Sequence, residues 1–147
     1  MDKLKLRKAR ISDAKLLFRW FNDVDVRNNS FIQESTTFEN HFKWFSKKIN
    51  NSDTSIFILS NEFNNIGQIR IDYEKSYWLI DYSIDREYRG MGYGKIIIEL
   101  LLKKCNNFKF RAVVKKNNLP SISVFLKTGF KNTSNIADDP QYFEYFK

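Results

Sequence analysis

The stretch Tyr82-Ser83-Ile84-Asp85-Arg86-Glu87-Tyr88-Arg89-Gly90-Met91-Gly92-Tyr93-Gly94-Lys95 decides how the rest of the chain is read. An apolar run with strand character enters it from Tyr77. The segment Ile96-Ile97-Ile98-Glu99-Leu100-Leu101-Leu102 leaves it with helical length. Three of the chain's five glycines lie here, at Gly90, Gly92 and Gly94. Glycine loses the most backbone entropy on folding, so a cluster at a strand-to-helix turn calls for a reason. One reason is close approach of backbone N–H groups to an anion. A helix N-terminus already offers unpaired donors and a positive dipole end. Arg89 and Lys95 add positive charge. The spacing points to a pyrophosphate cradle, with a structural turn that binds nothing as the alternative. The P-loop pattern G-x-x-x-x-G-K-[ST] is absent. The glycines fall as G-x-G-x-G, which is not the dinucleotide fingerprint G-x-G-x-x-G.

Arg89-Gly90-Met91-Gly92-Tyr93-Gly94 resembles the acetyl-CoA pyrophosphate motif of the GNAT acetyltransferase superfamily, [QR]-x-x-G-x-[GA], with Arg89, Gly92 and Gly94 in its defined positions. Asn118-Leu119-Pro120-Ser121-Ile122-Ser123-Val124-Phe125-Leu126-Lys127-Thr128-Gly129-Phe130 resembles the family's next helix and its Gly-Phe exit into a strand. The two motifs stand in the family's order and spacing, and the resemblance runs from Leu4 to Phe146. It implies an α+β fold. A central, mostly antiparallel twisted sheet of six to seven strands would carry about four flanking helices and a splayed, V-shaped cofactor cleft.

The bulk properties are compatible with that reading. A chain of 147 residues with 42% hydrophobic and 16% aromatic content can bury a core, and is expected to form a single domain over residues 1–147. The lone Cys105 permits no internal disulfide and reads as a structural thiol. No apolar run has membrane-spanning length and the N-terminus does not read as a signal peptide, so a cytoplasmic protein is expected. The net charge of +8 fits an anionic cofactor, a nucleotide-linked substrate, nucleic acid or a lysine-rich surface. The lysines are scattered in short pairs and no nucleic-acid motif supports the third of these.

Outward from the glycine turn, alternation predicts strands over Leu4–Lys8, Ser55–Ser60, Ile66–Asp72, Tyr77–Ile84 and Lys109–Val114, then at Phe130–Thr133 and Tyr142–Phe146. Ser12 or Asp13 caps a helix carrying Leu16, Leu17, Trp20 and Phe21. Val24 to Ser35 reads as a loop with one short turn. Thr36 and Glu39 have capping-box spacing for a helix that runs to Ile49, with Phe38, Phe42, Phe45 and Ile49 on its inner side. Further helices are expected from Gly92 to Cys105 and from Pro120 to Thr128.

The resemblance also assigns the site. Backbone groups of Tyr82, Ser83 and Ile84 would pair with the pantetheine arm of coenzyme A, and one N–H there would steady the thioester oxygen. Gly90, Met91, Gly92, Tyr93, Gly94 and Lys95, with Arg89, would hold the pyrophosphate. Asn118, Ser121 and Phe125 would lie beside the coenzyme. Many members carry a tyrosine, as general acid, where this chain has Phe125. The implied reaction is acetyl transfer to a primary amine by direct attack, with acetyl-CoA as co-substrate and no metal. A base must take the amine's proton. Asp81 and Tyr82 on the strand and His41, the only histidine, are the candidates. The alternatives are a solvated edge charge for Asp81 and a helix-boundary residue for His41.

The segment from Trp20 to Phe31, followed by His41-Phe42-Lys43-Trp44-Phe45, resembles a GNAT subgroup associated with acetylation of nucleotide-linked amino sugars for surface glycans. A related subgroup acetylates the N-termini of ribosomal proteins. The first resemblance implies a nucleotide-amino-sugar acceptor, with Arg27 holding phosphate, Phe31 forming a wall and Glu34 touching the acceptor. Peptide or protein N-terminal acetylation and a non-catalytic coenzyme A-binding module are the alternatives. In the superfamily the C-terminal strands often pair between subunits, so a homodimer belongs among the expectations.

Overall fold

Alternating burial along the strands and apolar stripes along the helices sort the chain into one mixed sheet with helices on both faces. The computed structural model describes residues 3–135 and 139–146. In chain order the elements are β1 (Lys5–Lys8), α1 (Ala14–Phe21), α2 (Val24–Asn29), α3 (Phe38–Ile49), β2 (Thr54–Ser60), β3 (Asn65–Glu74) and β4 (Tyr77–Ile84). They continue with α4 (Tyr93–Lys104), β5 (Phe110–Val114), α5 (Leu119–Lys127), β6 (Lys131–Asn132) and β7 (Gln141–Tyr145). Short 3-10 turns precede α1 and follow β4. The seven strands lie in the order β1-β2-β3-β4-β5-β7-β6. Every pairing is antiparallel except β4 with β5.

That exception positions everything that follows. β4 and β5 run parallel, but their register holds only for Trp78 with Phe110 and Leu79 with Arg111. Beyond this vertex the strands part, leaving Ile80–Ile84 of β4 without a neighbour on that side. Strand geometry settles which groups are open. The Trp78 N–H donates to the Lys109 carbonyl on the β5 side at 2.8 Å. With a period of two, the backbones of Ile80, Tyr82 and Ile84 face the gap, and those of Asp81 and Ser83 face β3.

The larger core lies between the sheet and α4 and α5. Ile97, Ile98 and Leu101 of α4 and Phe125 of α5 pack with Ile69, Ile71, Phe110 and Phe143 of the sheet. A smaller core joins Ala14, Leu17 and Trp20 of α1 and Phe45 of α3 to Ile56 and Ile58 of β2.

Four sequence expectations change. Val24–Asn29 is a helix, not a loop, because the Asp23 carboxylate caps it, accepting from the N–H groups of Asp25 and Val26. The cap of α3 is Thr37, one residue later than the box spacing suggests. The inner face of α3 runs through His41 and Phe45, whereas Phe38 and Phe42 are each more than a third exposed. Asp13 lies at the start of α1 but binds no helix N–H there. Its carboxylate is held by Arg7 at 2.8 Å and by the Arg10 N–H. No helix among the described residues is long and apolar enough to cross a membrane.

Candidate active site

Two cavities meet across β4. The first, of about 380 Å³, fills the splay and is lined by Ile80–Ile84, by Ala112–Val114 of β5 and by Asn118, Ser121 and Phe125 of α5. Past Ile84 and Arg89, which line it, the chain turns through the glycines into the N-terminus of α4. Gly92 caps that helix with φ 86°, and Gly90 has φ 76°. Both values lie in the left-handed region that glycine adopts without steric cost, so the turn can aim successive N–H groups outward. Gly94 has another task. A Cβ there would stand 3.1 Å from Val124 Cγ2 and 3.6 Å from the Tyr82 ring, so its absence lets α4 settle onto α5 and β4.

The residues expected beside the coenzyme present different groups to this cleft. Tyr82 and Ile84 offer backbone toward the gap, and Ile80, which the sequence motif does not single out, does so too. Ser83 instead lines the site with its side chain, because its backbone belongs to the β3 ladder. The Arg89 side chain turns away from the glycine turn. Its Nε donates to the Ile84 carbonyl at 2.9 Å, and its Nη atoms reach Asp25 at 3.0 Å and Asp23 at 3.1 Å. The Lys95 ammonium lies 3.6 Å from Glu99 on the exposed face of α4, and Met91 is exposed. Tyr93 packs edge-on against Tyr88. Asn118 caps α5. Phe125 is buried at the base of the cleft, edge-on to Tyr82, and brings no acidic proton. The Tyr82 hydroxyl lies 3.0 Å from Ser121 Oγ. Burial pushes the Tyr82 phenol up, against the Ser121 hydrogen bond, so it keeps its proton.

The second cavity, of about 450 Å³, lies on the opposite face of β4 under α1, α2 and α3. Its walls are largely apolar and aromatic, with Trp20, Phe21, Phe31 and Trp44 among them. Asp81 and Ser83 line both cavities. Asp81 is exposed there, and its carboxylate accepts from Gln68 Nε2 at 3.2 Å. Tyr82 reaches only the cleft side. Of the acceptor candidates, Phe31 lines the second cavity while 55% exposed. Glu34 is exposed and lines neither cavity. Arg27 lines the cavity, but its guanidinium is engaged by its own chain. Nε and Nη1 donate to the carbonyls of Phe21 and Ile32 at 2.6 Å each, and the group stacks on Phe21 at 3.6 Å. It ties α2 to the end of α1 and to the segment that follows α2.

His41 is 4% exposed, with Phe18, Phe21, Trp44 and Phe45 around it, and its Nδ1 has no hydrogen-bond partner. Burial, and then the charges of Arg70 and Arg27, hold its pKa below the ordinary value. It is a neutral ring in the cavity wall, not a boundary residue. The unfolded chain takes up this proton near pH 6.5 and the folded chain only at lower pH. The contribution is therefore complete above about pH 6.5 and is lost as pH falls below it. Melting temperature is expected to drop between pH 7.5 and 5.5 in the native chain. In His41→Phe the drop should be much reduced, and an equal drop in both would place the pH dependence elsewhere.

The chain that builds this cleft and this aromatic pocket is similar to known proteins over nearly its whole length. The acetyltransferase (GNAT) domain model matches residues 3–131. The chain belongs to the GNAT acetyltransferase family. An uncharacterised protein of Methanocaldococcus jannaschii is 25% identical over 153 residues, covering 97% of this chain and 31% of that protein. The chain thus spans about a third of the relative it matches. The fold is also that of aminoglycoside acetyltransferase AAC(6')-Ib in complex with coenzyme A (TM-score 0.84, 17% identity, 99% of this chain and 95% of that one). Spermidine N-acetyltransferase from Vibrio cholerae, in complex with coenzyme A and spermine, matches with TM-score 0.81 at 16% identity, covering 96% and 92%. Both solved structures are acetyltransferases by name, and at this identity the likeness is one of fold.

Proposed function

We propose that residues 1–147 form one acetyltransferase domain that uses acetyl-CoA to acetylate the primary amine of a small molecule, a nucleotide-linked amino sugar. The observation that carries this reading is the meeting of the two cavities at Asp81, beside an unpaired strand edge.

The residues present fit coenzyme A. The backbones of Ile80, Tyr82 and Ile84 extend the sheet toward a pantetheine arm, as an added strand would. The N–H groups from Gly90 to Lys95 receive the diphosphate, aided by the positive end of α4. When bound, acetyl-CoA supplies the acetyl thioester. An N–H of Ile80 or Tyr82 would be the donor available to the thioester oxygen as charge grows there. Asp81 attracts the acceptor's ammonium from the other cavity, orients it and passes its proton to solvent.

Aromatic walls suit a flat base or a sugar ring. Two arginines against one carboxylate in the acceptor cavity oppose a polycation and suit an acceptor with negative charge. Coenzyme A thiol release would be measured with nucleotide-linked amino sugars, polyamines, aminoglycosides and free-amine peptides. Release with a nucleotide sugar alone is the expected result. Release only with peptides would move the function to N-terminal acetylation. Coenzyme binding without release from any acceptor would mark a binding module.

A further inference from the structure

Arg70 and Asp81 stand directly opposite each other on β3 and β4. Opposite charges in that position ordinarily pair. Here no ion pair joins them among the described residues, because each has another partner. Arg70 Nε donates to Asp72 Oδ2 at 2.8 Å, and the guanidinium stands 5.0 Å over the Trp44 ring. Asp72 is itself fixed, accepting from Thr54 Oγ1 at 2.6 Å and from Lys48 Nζ at 3.1 Å. Asp81 is held by Gln68. The outcome is a fork anchored at its Nε edge and by its face. Its Nη1 and Nη2 have no hydrogen-bond partner among the described residues, and Arg70 lines the same cavity as Asp81. A carboxylate and a guanidinium are thus held apart on one wall, each able to take a ligand charge of opposite sign.

We propose that Arg70 is the specificity-determining residue of the acceptor cavity, and that the acceptor carries an anionic group, carboxylate or phosphate, on the same small molecule as its amine. Asp81 takes the ammonium end and Arg70 the anionic end. A planar guanidinium with two free N–H-bearing atoms matches either oxyanion bidentately. Trp44 and His41 lie beside the fork, and the uncommitted Nδ1 of His41 is a further polar atom within that wall. The assignment rests on the second cavity being the acceptor site, and it gives Arg70 the anion-binding task that the sequence suggests for Arg27.

The test keeps donor and acceptor sites apart. With coenzyme A at saturation in the first cleft, the chain is titrated with glucosamine, glucosamine 1-phosphate, muramic acid and UDP-glucosamine, followed by calorimetry. All four carry the same amine and differ in the anion. The native chain is expected to bind at least one anionic member about tenfold or more tighter than glucosamine, and Arg70→Gln should abolish that preference. Arg70→Lys, which keeps the charge but not the fork, should retain part of it. Preference for muramic acid identifies a carboxylate and preference for the phosphates a phosphate. Equal affinity for all four, or a preference that survives in Arg70→Gln, overturns the proposal. Failure of coenzyme A itself to bind would instead overturn the reading of the cleft.

Discussion

Asp81→Asn is expected to lower kcat by about 10²- to 10⁴-fold, the usual range for losing a positioned proton acceptor. The amide nearly matches the carboxylate in shape and can still accept from Gln68, so the β3–β4 ladder should stand. What disappears is the negative charge between the two cavities. An incoming amine is protonated at neutral pH and must shed a proton before it can attack. Without the Asp81 carboxylate it has neither a counter-ion to hold it nor a basic oxygen to relay that proton. Affinity for acetyl-CoA should not change, because the backbone groups proposed to meet the coenzyme lie on the opposite edge of the strand. The residual rate should climb with pH more steeply than that of the native chain, as solvent takes over the deprotonation. A kcat within twofold of native would reduce Asp81 to a solvated strand charge.

Much of the frame that places Asp81 is legible in the amino-acid sequence. The strand expected over Tyr77–Ile84 is observed over those residues, and the glycine turn leads into a helix as its spacing implies. Both signals are local. A half-buried strand, a left-handed turn and an apolar helix each leave a mark within a few residues.

What the sequence hides depends on relations between distant residues. Arg70 reads as an ordinary strand cation until its neighbours are known, Asp81 opposite and Asp72 two residues along on the same face. The backbone groups that face the gap are those of Ile80, Tyr82 and Ile84, the Ile84 carbonyl already taken by Arg89, because Trp78 bonds Lys109, a pairing no local pattern announces. His41 lies between two phenylalanines in sequence, but the burial stripe of α3 passes through it and leaves Phe38 and Phe42 at the rim. The phase of a short helix with five aromatic or imidazole side chains is set by what packs on it. α2 escapes sequence reasoning for a nearer cause. Its cap, Asp23, and its holding cation, Arg27, are legible, but its apolar content is low, and Asp23 and Asp25 also pair with the distant Arg86 and Arg89.

Gly67→Ala is expected to cost about 3 kcal/mol of stability, the upper end of what overpacking usually does. For a chain of this length that is roughly a 10 °C fall in melting temperature. Gly67 lies on β3 opposite Ile84, and a Cβ there would stand 2.6 Å from the Ser83 carbonyl oxygen and 2.8 Å from Ile84 Cδ1. The Ile84 side chain can swing aside, but the Ser83 oxygen is backbone in the β3–β4 ladder and can yield only if the strands part. The damage should not stop at stability. The same displacement moves the end of β4 where the Ile84 backbone faces the cleft, and where its carbonyl accepts from Arg89 ahead of the glycine turn. Coenzyme A affinity is therefore expected to fall with melting temperature, even at a temperature where the variant is fully folded. Thermal melts paired with coenzyme titration at 15 °C separate the two effects. A melting temperature within 2 °C of native would show that this end of β4 yields without cost. A large fall with native affinity would confine the strain to the β3 side of the strand and leave the open edge as the structure has it.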